Sequence, residues 1–265
     1  MRLCSIASGS SGNCVYIGTD DTHLLVDVGI SAKKATCGME KLDVDPSQLQ
    51  GILVTHEHVD HISGLGVFSR KYGIPIYATK GTAKGILEYK RLGKFDEGLL
   101  NIINVDETFS LGDIDIEPFS ISHDANEPCA FVASSKDGRV AVATDIGVYS
   151  EYTIEHLSNL DAVLLEANHD VNLLQVGAYP YYLKQRILGD KGHLSNENSG
   201  RLLNRILHDN FKGALLGHLS KENNYERLAY ETVKMEVTMG EGKYRGDDFP
   251  IMVAKRDDLS DIIYI

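Results

Sequence analysis

The stretch GILVTHEHVDHISGL (residues 51–65) runs from an apolar segment into six positions that hold His56, His58, Asp60 and His61. At the end of an extended run, His56 and His58 lie two residues apart and project to one side. Asp60 and His61 then fall in a turn or first helical turn, where adjacent residues point in different directions. One segment can therefore serve two neighbouring cations, His56 and His58 facing one, Asp60 and His61 the other. Neutral imidazole and carboxylate suit zinc, manganese or iron. The chain has 10 histidines in 265 residues, so this density in six positions argues against a solvated loop with coincidental histidines.

Such a segment fills only part of two coordination shells, and the rest must come from downstream strand ends. His123 follows IEPFSIS, Asp145 follows VAVAT, and His218 follows GALLG. A carboxylate at Asp145 can bridge two cations. Each of these residues alone is an ordinary polar group at a strand end; in this order and context they form a set. Two internal echoes accompany them. LLVDVG (24–29) resembles AVATDIG (141–147), each an apolar strand that closes on Asp-x-Gly, which suggests a doubled architecture. GHLSNEN (192–198) resembles GHLSKEN (217–223), with Ser195 and Ser220 in position to cap helices.

Outward from these motifs, short apolar runs recur along the chain and helical patterns fall at 63–72, 80–91, 150–158, 195–208 and 221–238. Strands close together early and alternating with helices later imply mixed sheets with helices outside, an α/β layered fold. No linker or low-complexity tract divides the chain, so one domain over 1–265 is expected. Four cysteines without metal spacing read as free thiols of a reducing compartment. No signal-peptide-like or membrane-length apolar run is present, which predicts a soluble cytoplasmic protein with no membrane partner. A net charge of −12 argues against a protein coated with nucleic acid, yet leaves room for one local basic groove.

H-x-H-x-D-H followed by His123, Asp145 and His218 resembles the ligand set of the metallo-β-lactamase-fold hydrolases. The resemblance implies a four-layer αβ/βα sandwich with two divalent ions (Zn, Mn or Fe) at one edge. It assigns His56, His58 and His123 to one ion and Asp60, His61 and His218 to the other, with Asp145 bridging. Asp27, in LLVDVG, would support the metal loop rather than bind metal. LLEANHD places Glu166 and His169 after a strand, and KGHLSNENSG places His193 ahead of the last ligand; both resemble ribonuclease Z, where such a Glu and His serve proton donation. His169 reads as a supporting residue. IASGSSGNCVYI with LLVDVGIS, EANHD and GHLSNENSG is similar to the YycJ (WalJ) branch, which relates to ribonuclease J as well and is associated with 5′-to-3′ exonuclease action on DNA.

Those expectations define a mechanism. Asp60 joins Glu166 and His193 in the catalytic group: two cations activate water, and His193, oriented by Glu166, protonates the leaving 3′ oxygen. For substrate contact, Tyr179, Tyr181 and Tyr182 interleave with Lys184, Arg186 and Lys191 just before His193, and Ser195 follows it. Aromatics among cations suit a nucleic-acid groove, DNA being expected over RNA; a solvated helix face with core tyrosines is the plainer reading. A second basic stretch holds Lys80, Lys84, Lys90, Arg91 and Lys94. SGSSGN (8–13) could cradle a phosphate or merely turn a hairpin. His23, His156 and His208 receive no role. The competing class is a small-molecule hydrolase on the same metals, thioesterase-like (as in glyoxalase II) or acting on a cyclic phosphodiester. A metal-binding scaffold without catalysis is the third.

Overall fold

A strand with no polar face needs cover on both sides, and the apolar runs are of that kind. In His23–Val26, Leu24 and Val26 face one apolar cluster and Leu25 the other, all fully buried. The computed structural model describes residues 1–94 and 96–265, and among these the strands form two seven-stranded sheets. The first contains Arg2–Ala7 (β1), Cys14–Gly18 (β2), His23–Val26 (β3), Leu49–Leu53 (β4), Ile76–Thr79 (β5), Leu100–Ile103 (β6) and the C-terminal Ile263–Tyr264 (β14). The second contains Phe109–Leu111 (β7), Ile114–Ser120 (β8), Cys129–Ser135 (β9), Gly138–Ala143 (β10), Ala162–Glu166 (β11), Gly213–Gly217 (β12) and Ile251–Val253 (β13).

Each sheet is antiparallel on one side of a pivot strand and parallel on the other. β3 pairs antiparallel with β2 and parallel with β4; β10 pairs antiparallel with β9 and parallel with β11. The Asp-x-Gly echo sits just past these two pivots, and Asp27 and Asp145 share the same backbone state, φ 61° in both. The doubling read from the sequence is thus a structural repeat.

Three apolar clusters define four layers. Leu24, Val26, Phe131, Val142 and Leu164 fill the space between the sheets. Met39, Phe68 and Ile86 cover the outer face of the first sheet, from helices Ala32–Glu40, Leu65–Tyr72 and Lys80–Glu88. Leu202, Leu203 and Val233 cover the second, from Asn196–Ile206 and Glu226–Met239. This is the metallo-β-lactamase sandwich. No helix among the described residues is long and apolar enough to cross a membrane.

Several elements escaped the apolar pattern. β6, β7 and β14 are short and partly exposed at sheet edges, so they carry little alternation. Helix Ala32–Glu40 contains Gly38, a poor helix former, which is there because a Cβ would lie 2.2 Å from Ile6 Cγ2. The helix expected over 221–238 begins only at Glu226. Ser220 is therefore no cap of it: its hydroxyl instead accepts from Asn223 N at 3.2 Å within a turn.

Candidate metal centre

The loops leaving β4, β10 and β12 meet at one edge, and the histidines and carboxylates converge there. The segment after β4 leaves extended: His58, φ −64° and ψ 150°, precedes the short helix Val59–Ile62. His56 Nε2 lies 3.1 Å from His58 Nδ1, which lies 3.2 Å from His123 Nε2. His123 arrives on the loop after β8; its Nδ1 donates to Gly192 O at 3.1 Å, leaving Nε2 to this trio. Asp60, His61 and His218 form a second trio, with Asp60 Oδ2 3.6 Å from His61 Nε2 and 3.3 Å from His218 Nε2.

Asp145 lies between the two. Its Oδ2 is 3.3 Å from His61 Nε2 in one set, and its Oδ1 is 3.7 Å from His123 Nε2 in the other. It is almost fully buried, and Oδ2 has no hydrogen-bond donor among the described residues. A buried carboxylate oxygen without a donor is costly unless a cation completes it. The donor set, imidazole and carboxylate only, fits divalent metal ions on the same grounds.

Buried acceptors fix the ring orientations. Asp27 Oδ1 accepts from Thr55 N at 2.9 Å, while Oδ2 accepts from Thr55 Oγ1 at 2.8 Å and His61 Nδ1 at 2.7 Å. This leaves His61 Nε2 turned to the centre, so Asp27 supports the loop and lies outside both trios. Close approach by glycine completes the fit: a Cβ on Gly29 would sit 1.6 Å from Asp60 O. Such supporting acceptors are typically worth 10–100-fold in metal affinity. Asp27→Ala is accordingly expected to weaken metal binding by roughly that factor in a chelator competition. Unchanged affinity would show that His61 needs no such support.

Charge accumulates without metal. Burial opposes a proton on His61, but the carboxylates of Asp145, Asp27 and Asp60 win and raise its pKa to about 9. His218 is likewise raised well above the ordinary value, burial being outweighed by Asp145, Asp60 and Glu166. His56 moves the other way, lowered by burial and by the neighbouring histidines. In the metal-free protein the raised His61 adds stability that is complete below its unfolded pKa of about 6.5. That stability is lost as pH rises through about 9. Metal-free protein should then melt higher at about pH 6 than at about pH 9, and metal-loaded protein should reverse the order, because ligands bind deprotonated. Thermal melts with and without chelator check both signs.

Glu166, at the end of β11 and fully buried, links the centre to His193. Its Oε2 accepts from Ile146 N at 2.9 Å and Leu194 N at 3.0 Å. Its Oε1 accepts from His193 Nδ1 at 2.9 Å and His218 Nδ1 at 2.8 Å. Burial alone would raise its pKa, but His193 and His218 pull it well below the carboxylate range. Glu166 is thus a fully buried anion that orients two imidazoles. His193 has Nδ1 committed and keeps Nε2 for another partner.

Other expected residues fall elsewhere. Ser195 is buried, and its hydroxyl accepts from Asn198 N at 3.3 Å, which makes it the cap of Asn196–Ile206. Lys184 donates to Gln175 O at 2.7 Å. Arg186 reaches the centre's rim, where Nη2 donates to Asp124 Oδ1 at 2.9 Å. His169 is buried outside both trios, with Nδ1 3.3 Å from Asn168 Oδ1. The tyrosines on Tyr181–Leu188 are not core: Tyr181 and Tyr182 are 76% and 74% exposed. Lys84 lies on an exposed helix face, 3.9 Å from Glu88. Two neighbours of the centre were missed in the sequence. Asp124 Oδ1 lies 3.5 Å from His123 Nε2, signalled only by its adjacency to that histidine. Asn13 Nδ2 lies 3.2 Å from His61 Nε2, and Asn13 N donates to Asp60 O at 2.8 Å, so the SGSSGN turn braces the metal loop.

The Beta-lactamase superfamily domain matches residues 22–210. Exodeoxyribonuclease WalJ of Streptococcus pneumoniae serotype 2 is 45% identical over 228 residues, 86% of this chain and 85% of the relative. Exodeoxyribonuclease YycJ of Bacillus anthracis is 38% identical over 251 residues, 95% of this chain and 94% of the relative. Zn(2+)-bound PqqB from Methylobacterium extorquens shares the fold, with TM-score 0.70 at 15% identity over 98% of this chain and 100% of that one. The chain belongs to the β-lactamase superfamily, in the family of the WalJ and YycJ exodeoxyribonucleases.

Proposed function

We propose that the protein is a two-metal phosphodiesterase that shortens DNA from its 5′ end. The observation that carries this reading is Asp145, buried between the two trios with one oxygen lacking any donor. His56, His58 and His123 would hold one ion, Asp60, His61 and His218 the other, and Asp145 would touch both. Bound there, zinc, manganese or iron supplies Lewis acidity: it makes water nucleophilic and neutralises phosphate oxygens.

The chain's own residues do the rest. His193, held by the Glu166 anion at Nδ1, would in its doubly protonated, imidazolium form donate the Nε2 proton to the leaving 3′ oxygen as the P–O bond breaks. Glu166 holds the ring through its Nδ1–H, balances the imidazolium charge and acts as a positioning residue. The exposed Tyr181 and Tyr182, on the helix whose Arg186 reaches the rim, offer stacking surface for unpaired bases. DNA as the substrate rests on the WalJ and YycJ relatives, both of which are named exodeoxyribonucleases; the 5′-to-3′ direction rests on the motif resemblance.

Metal-loaded protein should be assayed on 5′-phosphorylated single- and double-stranded DNA, on RNA and on a thioester panel. Shortening of DNA from the 5′ end, abolished by chelator, is expected. Thioester turnover without strand cleavage would instead make it a small-molecule hydrolase on the same ions.

A further inference from the structure

We infer that a cavity of about 420 Å³ beside the metal edge is a phosphate pocket that holds one nucleotide of the strand away from the reacting bond. The inference rests on the nuclease reading above and adds a second anchoring point to it. The cavity adjoins the centre through two residues that line it. Leu219 follows His218, and Ser8 Oγ accepts from His218 N at 2.8 Å. Arg256 comes from beyond the C-terminal end of β13, which runs parallel to β12, so it reaches the same sheet edge as His218.

The chemistry of the walls is that of an anion site. Lys221, Arg227 and Arg256 line the cavity, and no carboxylate oxygen lies within 4.0 Å of their charged nitrogens among the described residues. At the other rim Arg186 is already occupied by Asp124. Three unpaired cations together are unusual in a chain of net charge −12. Arg256 is fixed in place: Nη2 donates to Leu219 O at 2.8 Å, while Nη1 is buried without an acceptor among the described residues. A Cβ on Gly9 would lie 2.5 Å from that nitrogen, so glycine makes room for the guanidinium. The guanidinium charge, unpaired by any carboxylate among the described residues, thus stands on the cavity wall.

Two further features point to the same ligand. Helix Glu226–Met239, 14 residues long, starts at the cavity, and its cap residue Tyr225 makes no side-chain hydrogen bond to the first turn. The first N–H groups are then left for an anion. Glu226 is the one acidic side chain on the wall. Tyr225 is 57% exposed beside it, positioned for a base to stack while the phosphate meets the cations.

The test is equilibrium binding of a fully phosphorothioate single-stranded oligonucleotide to the metal-loaded protein, across a salt series. Lys221→Met/Arg227→Met should weaken binding about tenfold or more and lower the salt slope by about 1.4, two contacts at about 0.7 each. Arg256→Met should weaken it as well. A charge-matched control, Lys136→Met/Lys212→Met at the opposite sheet edge, should bind within about twofold of the unaltered protein. If the pocket variants bind like that control, the pocket is overturned while unaltered protein that cleaves DNA keeps the nuclease reading. If the unaltered protein binds no oligonucleotide, both fall.

Discussion

Asp145→Asn is expected to lower kcat/KM by about 10⁴-fold or more, the scale seen when a group on which a whole constellation depends is lost. The variant should also retain fewer than two ions per chain. Among the described residues, Asp145 is the one group within 4 Å of both trios through different oxygens, Oδ2 towards His61 and Oδ1 towards His123. An amide there presents one oxygen and one NH₂ group, so at most one ion keeps a ligand from this position. The negative charge that draws protons, or cations, onto His61 and His218 disappears with it. Near-normal turnover with two tightly held ions in Asp145→Asn would show that the two sites do not share this carboxylate.

His193→Ala is expected to keep both ions and the fold while slowing DNA cleavage by about 10²- to 10⁴-fold, the usual range for loss of a general acid. The ring is absent from both metal trios, and its Nδ1 is committed to Glu166. The loss should shrink for a nitrophenyl phosphodiester, whose leaving group needs no proton. Equal loss on both substrates, or a missing ion, would remove His193 from the proton-donor role. A different outcome bears on Glu166. Asp145, Glu166, His193 and His218 also converge closely enough to hold an ion themselves, but there the Nδ1 protons of both histidines donate to Glu166.

The site was legible in the sequence where its parts follow strand ends. His56, His58, Asp60 and His61 leave β4 in one segment, and His218 and Asp145 follow runs whose apolar character already marks a buried strand. The Asp-x-Gly echo reported the repeat because the same backbone turn, φ 61° at Asp27 and Asp145, recurs after each pivot strand. The GHLS echo separated as the runs before it differ: His218 leaves β12, whereas His193 leaves a polar turn and hangs from Glu166. Asn13 and Thr55 were not legible, since the partners Asp60 and Asp27 lie in space rather than along the chain, and Asp124 was signalled only by its place after His123. The local bonds of Ser195 and Lys184 were not legible either, because composition near His193 says nothing of where a hydroxyl or ammonium points.

Anomalous diffraction from crystals of the metal-loaded protein tests the central claim most directly. Two peaks are expected, one bonded to His56, His58 and His123, the other to Asp60, His61 and His218, with Asp145 ligating both. A single peak, or one bonded to Glu166, His193 and His218, would contradict it.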